Sequence, residues 1–175
     1  MHIPIQYTEL ILLTVAALVS DIRTYKIKNL IIVIFMAAGL TTGFLRDELS
    51  GLSDSALAAV IPIPLLMIFF ALKMLGAGDI KLFCAIGALG GVRFVLYAMA
   101  YSFIAGGIIA IVIMLVNKNF RKRGRYLLCY LKTCFLSRTL QPYTDFNDKT
   151  DGAKFRFSYA VACGVAAAIF LKSMK

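Results

Sequence analysis

Histidine is nearly missing from this sequence, and tryptophan is absent. The single histidine is His2, and the four cysteines (Cys84, Cys129, Cys134 and Cys163) form no CxxC pair. A zinc site uses about four nitrogen, sulfur or oxygen ligands at close spacing. The composition therefore predicts neither a bound metal nor a cofactor, and we expect the cysteines to be free thiols that pack as small apolar groups.

Acidic residues are scarce as well. Nine Asp and Glu residues stand against 19 Lys and Arg residues, which gives a net charge of +10. Such an excess is common in proteins that bind nucleic acid. Here, however, the basic residues lie in a few loops between apolar runs, and in that arrangement they report on membrane topology. We therefore expect no nucleic-acid partner.

What the sequence has in abundance is apolar surface. Hydrophobic residues make up 61% of the chain, and the mean hydropathy is +0.84. Soluble domains are about half apolar, and a chain of 175 residues leaves much of its surface outside its core. Lipid must cover the remainder. The sequence predicts a single membrane-embedded domain over residues 1–175, with the bilayer as a partner.

The apolar runs predict an all-α, polytopic bundle of six transmembrane helices. A helix needs about 20 apolar residues to cross the hydrocarbon. The stretch 79–118 would be about twice the membrane thickness as one helix. We therefore divide it at Gly90-Gly91-Val92-Arg93. The six runs are roughly 5–22, 29–45, 56–74, 80–92, 94–116 and 157–172.

The basic residues orient this bundle. Most of them follow the first, third and fifth runs, and the positive-inside rule places those loops in the cytosol. Both termini are then extracytoplasmic, in a multi-pass protein of the cytoplasmic membrane. The long connection 117–156 lies on the cytosolic side. Its middle, 126–138, mixes aromatic, leucine and basic residues, which predicts an amphipathic helix at the interface.

Two aspartates are the candidate catalytic residues. Asp21 ends the first apolar run and Asp79 begins the fourth, so both lie at the cytosolic level. Carboxylates at that depth are costly, which makes them functional candidates. Two carboxylates that share one proton can activate water and polarise a carbonyl group. We therefore expect Asp21 and Asp79 to form a hydrolytic pair.

Three further residues are candidates for substrate binding or for shaping the loops. Gly76 and Gly78 precede Asp79, and glycine allows a sharp bend or a close approach of a substrate strand. A tight turn between helices is the simpler interpretation of the glycines alone. Asn29 opens the second run, where an N-cap is the simpler explanation.

Three segments resemble the type IV prepilin peptidases. Gly76-Ala77-Gly78-Asp79 resembles the GxGD signature of intramembrane aspartyl proteases. The segment from Asp21 to Asn29 is similar to the first-aspartate motif of prepilin peptidases, although Lys28 stands where that family usually has proline. The segment 155–164 is similar to part of the last helix, again without the family's prolines.

The resemblance implies an aspartic endopeptidase that removes the basic leader of prepilin-like membrane proteins, as in type IV pilus assembly, at the cytosolic face. It also implies a short form, because the cytosolic domain and paired cysteines of the methylating members do not occur in this sequence. Peptidase activity without N-methylation is therefore the expectation.

Two other functions stay open at the level of sequence. A protease of the presenilin or signal-peptide-peptidase kind also carries GxGD, but it has Tyr-Asp and Pro-Ala-Leu motifs that do not occur here. A small proton-coupled carrier could use the two aspartates as a relay. Such carriers often contain inverted repeats, and we find no repeat in this sequence.

Overall fold

The structure is a computed structural model that describes residues 5–24, 27–72, 75–116 and 157–173. These residues confirm an all-helical fold. The amphipathic segment predicted at 126–138 lies outside them. The helices are α1 (Ile5–Thr24), α2 (Asn29–Val60), α3 (Pro62–Ala71), α4 (Ala77–Gly90), α5 (Val92–Val116) and α6 (Phe157–Ser173).

Helix α2 spans the gap of residues 46–55 between the second and third predicted runs. The backbone is non-helical only at Asp47 and Glu48, where Glu48 has a φ of 49°. The Ser50 hydroxyl donates to the Asp47 carbonyl at 2.5 Å, so the break keeps one carbonyl satisfied. The connection is therefore a two-residue kink with helix on both sides, rather than a loop of about ten residues.

Small residues bring the two arms of α2 together. A Cβ at Gly43 would overlap the Ser55 hydroxyl, and a Cβ at Gly51 would overlap the Gly43 carbonyl. Both arms also contact α4: Gly39 packs on the backbone at Ala88, and Ala58 packs on Gly87. The chain therefore reverses at the kink and presents both arms to the same level of α4.

The division of the long apolar stretch is confirmed at the predicted place. Helix α4 ends at Gly90, and α5 begins at Val92. Gly91 between them has a φ of 81°, a left-handed value that glycine adopts without steric cost. The Gly91 N–H donates to the Gly87 carbonyl at 2.8 Å, which closes the last turn of α4.

Helix α4 is the centre of the described structure. All residues from Leu82 to Leu89 are buried, and α4 packs against α1, α2, α3 and α5, whereas α6 packs against α5 and α1. A helix that is apolar on all sides belongs inside a bundle. The fourth run thus forms a short helix whose stretch from Leu82 to Leu89 is covered by its neighbours.

The outer helices leave large apolar side chains uncovered. Leu45 is 82% exposed and Leu30 is 68% exposed. Within the described residues, Asn29–Ala71 and Val92–Ile113 are long and apolar enough to cross a membrane, and Phe157–Lys172 is a shorter apolar helix. A membrane protein is therefore supported. The count of six spans and the positions of the termini remain predictions.

Candidate functional site

Asp21 lies in the last turn of α1, and its side chain is half-buried. The preceding residue, Ser20, is buried, and its hydroxyl accepts a hydrogen bond from the Lys28 N–H at 3.3 Å. This bond joins the end of α1 to the residue before α2. The local structure therefore holds Asp21 at the edge of the bundle, where the chain turns from α1 into α2.

Asp79 lies in the first turn of α4 and is also half-buried. Its Oδ2 accepts a hydrogen bond from the Gly76 N–H at 3.2 Å. A carboxylate at this position caps the helix and meets the positive end of the helix dipole. Capping alone could account for an aspartate here, so the neighbours of Asp79 decide whether it can do more.

The decisive neighbour is Asp21. Helices α1 and α4 pack together, and the two carboxyl groups are close enough for the charge of Asp21 to act on Asp79. The structure thus brings together two acidic residues that are 58 positions apart in the sequence. Two carboxyl groups in electrostatic contact can divide acid and base roles between them, because one holds a proton more readily than the other.

The two glycines before Asp79 have a different role from the sharp bend that was expected. Gly76 has a φ of −81° and a ψ of 150°, which any residue can adopt. A Cβ at Gly76 would lie 3.2 Å from Asp79 Oδ2, whereas a Cβ at Gly78 would make ordinary contact with Ile27. Glycine at position 76 therefore leaves room for the Asp79 carboxylate. Close approach of a substrate at either glycine remains a prediction.

Asn29 is at this end of the bundle, but it is not the N-cap of α2. The N-cap is Lys28, without a side-chain capping bond. Asn29 is the first helical residue, and its Oδ1 accepts a hydrogen bond from Lys81 Nζ at 3.1 Å. Lys81 is two positions after Asp79. The N-cap interpretation is therefore wrong, and Asn29 instead joins the start of α2 to α4.

Metal ligands do not gather at this site. No group of three or more His, Cys, Asp or Glu side chains that could hold a metal ion occurs within the parts of the chain described above. The polar side chains described at this end of the bundle include the two aspartates and the Asn29–Lys81 pair.

A comparison with protein families identifies the chain. The model described as the type IV leader peptidase family matches residues 9–111, which include both aspartates and both glycines. The chain belongs to the type IV leader peptidase family. No curated protein and no solved structure gives a significant match. Family membership makes the chain a peptidase of the leader-peptidase kind, and both aspartates lie within the matched region.

One residue beside Asp21 was not singled out from the sequence. Ser158, in the first turn of α6, is only 4% exposed, and its Oγ donates to Asp21 Oδ2 at 2.5 Å. The signal that could have drawn attention to it is the segment 155–164, which resembles the last helix of prepilin peptidases. That segment lies beyond the residues that the family model matches.

Proposed function

We propose that the protein is an intramembrane aspartic endopeptidase that removes the basic leader from prepilin-like membrane proteins. Asp21 and Asp79 are its catalytic pair. The observation that carries the proposal is that two half-buried carboxyl groups, at the ends of helices α1 and α4 that pack together, lie near enough for the charge of one to act on the other inside a leader-peptidase match. The same family match favours a leader peptidase over a presenilin-like protease and over a proton-coupled carrier.

The proposed reaction divides one proton between the two aspartates. The ionised carboxylate removes a proton from water, and the resulting hydroxide attacks the scissile carbonyl carbon. The protonated carboxyl group donates its proton to the carbonyl oxygen as the tetrahedral intermediate forms. Collapse of the intermediate breaks the C–N bond: the carboxyl group that took the proton from water passes it to the leaving amine, and one hydroxyl group of the intermediate returns a proton to the other carboxylate as the product carboxylic acid forms.

The site also suits a substrate that is partly helical. A helical peptide uses its own N–H and C=O groups internally, so the scissile bond must be extended before water can attack it. Asp21 and Asp79 lie at helix ends rather than at mid-helix, and the Gly76 backbone beside them is exposed. We place this end of the bundle at the cytosolic face of the cytoplasmic membrane, where a basic leader would enter it.

Substitution of each aspartate tests the proposal. The purified protein, in detergent or in liposomes, is incubated with a prepilin-like peptide that has a basic leader and a following apolar segment. We expect Asp21→Asn and Asp79→Asn each to lower the cleavage rate by about 10²–10⁴-fold, since each removes an acid–base group.

The matched control is Asp54→Asn, which makes the same change at the opposite end of the bundle, beside Gly91. We expect it to cleave like the wild type. Cleavage that survives substitution of Asp21 or Asp79 would refute the catalytic pair. Proton flux through liposomes without any cleavage would instead indicate a carrier.

A further inference from the structure

We propose that Ser158 is a positioning residue that holds the Asp21 carboxyl group in its reactive orientation. This inference rests on the proposed function. It adds α6 to a site that the aspartates place between α1 and α4. It also gives a chemical task to a buried hydroxyl group that lies outside the segment matched by the family model.

The hydrogen bond of Ser158 is the first observation. A serine in the first turn of a helix commonly bonds to the backbone of its own helix. Ser158 Oγ instead donates across to Asp21 Oδ2 at 2.5 Å. A hydroxyl group that donates to a buried or half-buried carboxyl group restricts the rotation of that group, because turning it away breaks the bond. The contact therefore favours one orientation of the Asp21 side chain.

The placement of α6 is the second observation. Phe157, next to Ser158, packs its ring 6.5 Å from Phe83 on α4 and 5.7 Å from Phe103 on α5, measured between ring centroids. Phe83 is four residues after Asp79, so it lies one turn further along the same helix face. The first two residues of α6 thus contact the helices of both aspartates. The Ser158 hydroxyl group bonds to Asp21 on α1, and the Phe157 ring packs on Phe83 of α4.

A second contact fixes α6 lengthwise. A Cβ at Gly164 would overlap the Ser102 hydroxyl and would lie 2.5 Å from the Ser102 N, so α5 and α6 touch closely there. Gly164 is six residues from Ser158. A helix held at Phe157 and at Gly164 has little freedom to slide or turn between those points. The packing of α6 therefore places Ser158 beside Asp21.

For catalysis, this bond gives the two carboxyl oxygens of Asp21 different roles. Ser158 occupies Oδ2 and so directs the other oxygen, Oδ1, toward the water or the scissile carbonyl. Without the hydroxyl group, the carboxyl group could rotate, and fewer molecules would have the reactive arrangement. Loss of positioning lowers kcat and leaves substrate binding largely unchanged.

The test compares four proteins in the peptide cleavage assay: wild type, Ser158→Ala, Ser158→Thr and Ser55→Ala. A hydrogen bond to a charged group corresponds to roughly a tenfold to hundredfold change, so we expect kcat of Ser158→Ala to fall by that factor. KM is expected to stay within about twofold. Ser158→Thr keeps a hydroxyl group, so we expect it to recover most of the lost activity.

Ser55→Ala is the matched control, because Ser55 is also a buried serine and lies beside Gly43 on α2, at the Gly91 end of the bundle and away from both aspartates. We expect wild-type kcat from it. The melting temperature of each variant shows whether folding is affected. If Ser158→Ala does not fold, Ser158→Cys, with a similar shape but a weak donor, replaces it and is expected to show the same loss of kcat.

The outcomes separate this inference from the proposed function. Wild-type kcat in Ser158→Ala, with an inactive Asp21→Asn, overturns the positioning role alone. Equal losses in Ser158→Ala and Ser55→Ala, or a loss that Ser158→Thr does not restore, also overturn it, because a general effect on packing would then explain the result. If the wild type does not cleave, or if Asp21→Asn cleaves, the proposed function fails and the inference fails with it.

Discussion

Asp21 and Asp79 stand at opposite kinds of helix end, one in the last turn of α1 and one in the first turn of α4. Their presence at one level of the bundle could be predicted, because hydropathy and basic loops report the depth of each residue. The role of Ser158 could not be predicted. It is 137 positions from Asp21, and no local pattern indicates that its hydroxyl group turns away from its own helix.

The same limit applies to Asn29. Its position before an apolar run predicted an N-cap, but the helix begins one residue earlier and the side chain is taken by Lys81. The actual partner is 52 residues away, across the α2–α4 contact. Side-chain amides bond to whichever donor the packing supplies, so the partner follows from the bundle rather than from the neighbouring residues.

A double-mutant cycle on Asn29 and Lys81 tests this link at the residue scale. We expect Asn29→Ala and Lys81→Met each to lower kcat/KM by about threefold to tenfold, because a hydrogen bond of about 1 kcal/mol aligns α2 with α4. The kcat/KM of the double variant is expected to be no lower than that of the less active single variant, because both substitutions remove the same bond. Kinetics of peptide cleavage measure all three, with Lys172→Met at the far end as control. Losses that multiply would show that the two residues act independently.

At the scale of the elements, α4 organises the structure. Its 14 residues are shorter than a full membrane span, yet the whole stretch from Leu82 to Leu89 is buried. The positions of the helix breaks were predictable, since Gly90-Gly91 interrupts a stretch too long for one helix. The central position of α4 was not predicted, because the other apolar runs have similar composition and only packing distinguishes an enclosed helix from one that faces lipid.

Glycine contacts of α4 and α6 give an element-scale prediction. We expect Gly87→Ala and Gly164→Ala to destabilise the fold by about 1–3 kcal/mol, since the new Cβ would overlap the Ala58 carbonyl or the Ser102 hydroxyl. Gly107→Ala is the matched control. A Cβ there meets nothing within 4 Å, and alanine favours a helix by about 0.5–1 kcal/mol.

Thermal unfolding in detergent measures these differences. The expected order of melting temperature is Gly107→Ala at or above the wild type, with Gly87→Ala and Gly164→Ala below it. Similar melting temperatures for all three variants would contradict the close helix contacts.

For the whole molecule, charge and apolar surface specify different things. The apolar exterior of α2 and α5 requires lipid, whereas the basic loops select which end faces the cytosol. The hydrophobic core is one cluster that draws on α1 through α6, so the described helices stabilise one another. The candidate site lies where the ends of α1 and the starts of α2, α4 and α6 meet.

Reporter fusions test the orientation of the whole molecule. We expect alkaline phosphatase, which is active only outside the cytoplasm, to be active when fused after Lys175 and inactive when fused after position 120. A cytosolic reporter such as green fluorescent protein should give the opposite result at both positions. The reverse pattern would place both aspartates at the outer face and would contradict cleavage on the cytosolic side.

The sequence by itself determined the class of the protein, the helical runs, the break at Gly91 and the two acidic candidates, because hydropathy, charge and glycine act over a few neighbouring residues. The tertiary structure decided the rest: the enclosure of α4, the electrostatic influence of Asp21 on Asp79, the Lys81 partner of Asn29 and the Ser158 hydrogen bond. These features depend on which helix faces meet. Helix faces are chosen by side-chain packing between segments far apart in the chain, and no local pattern encodes that choice.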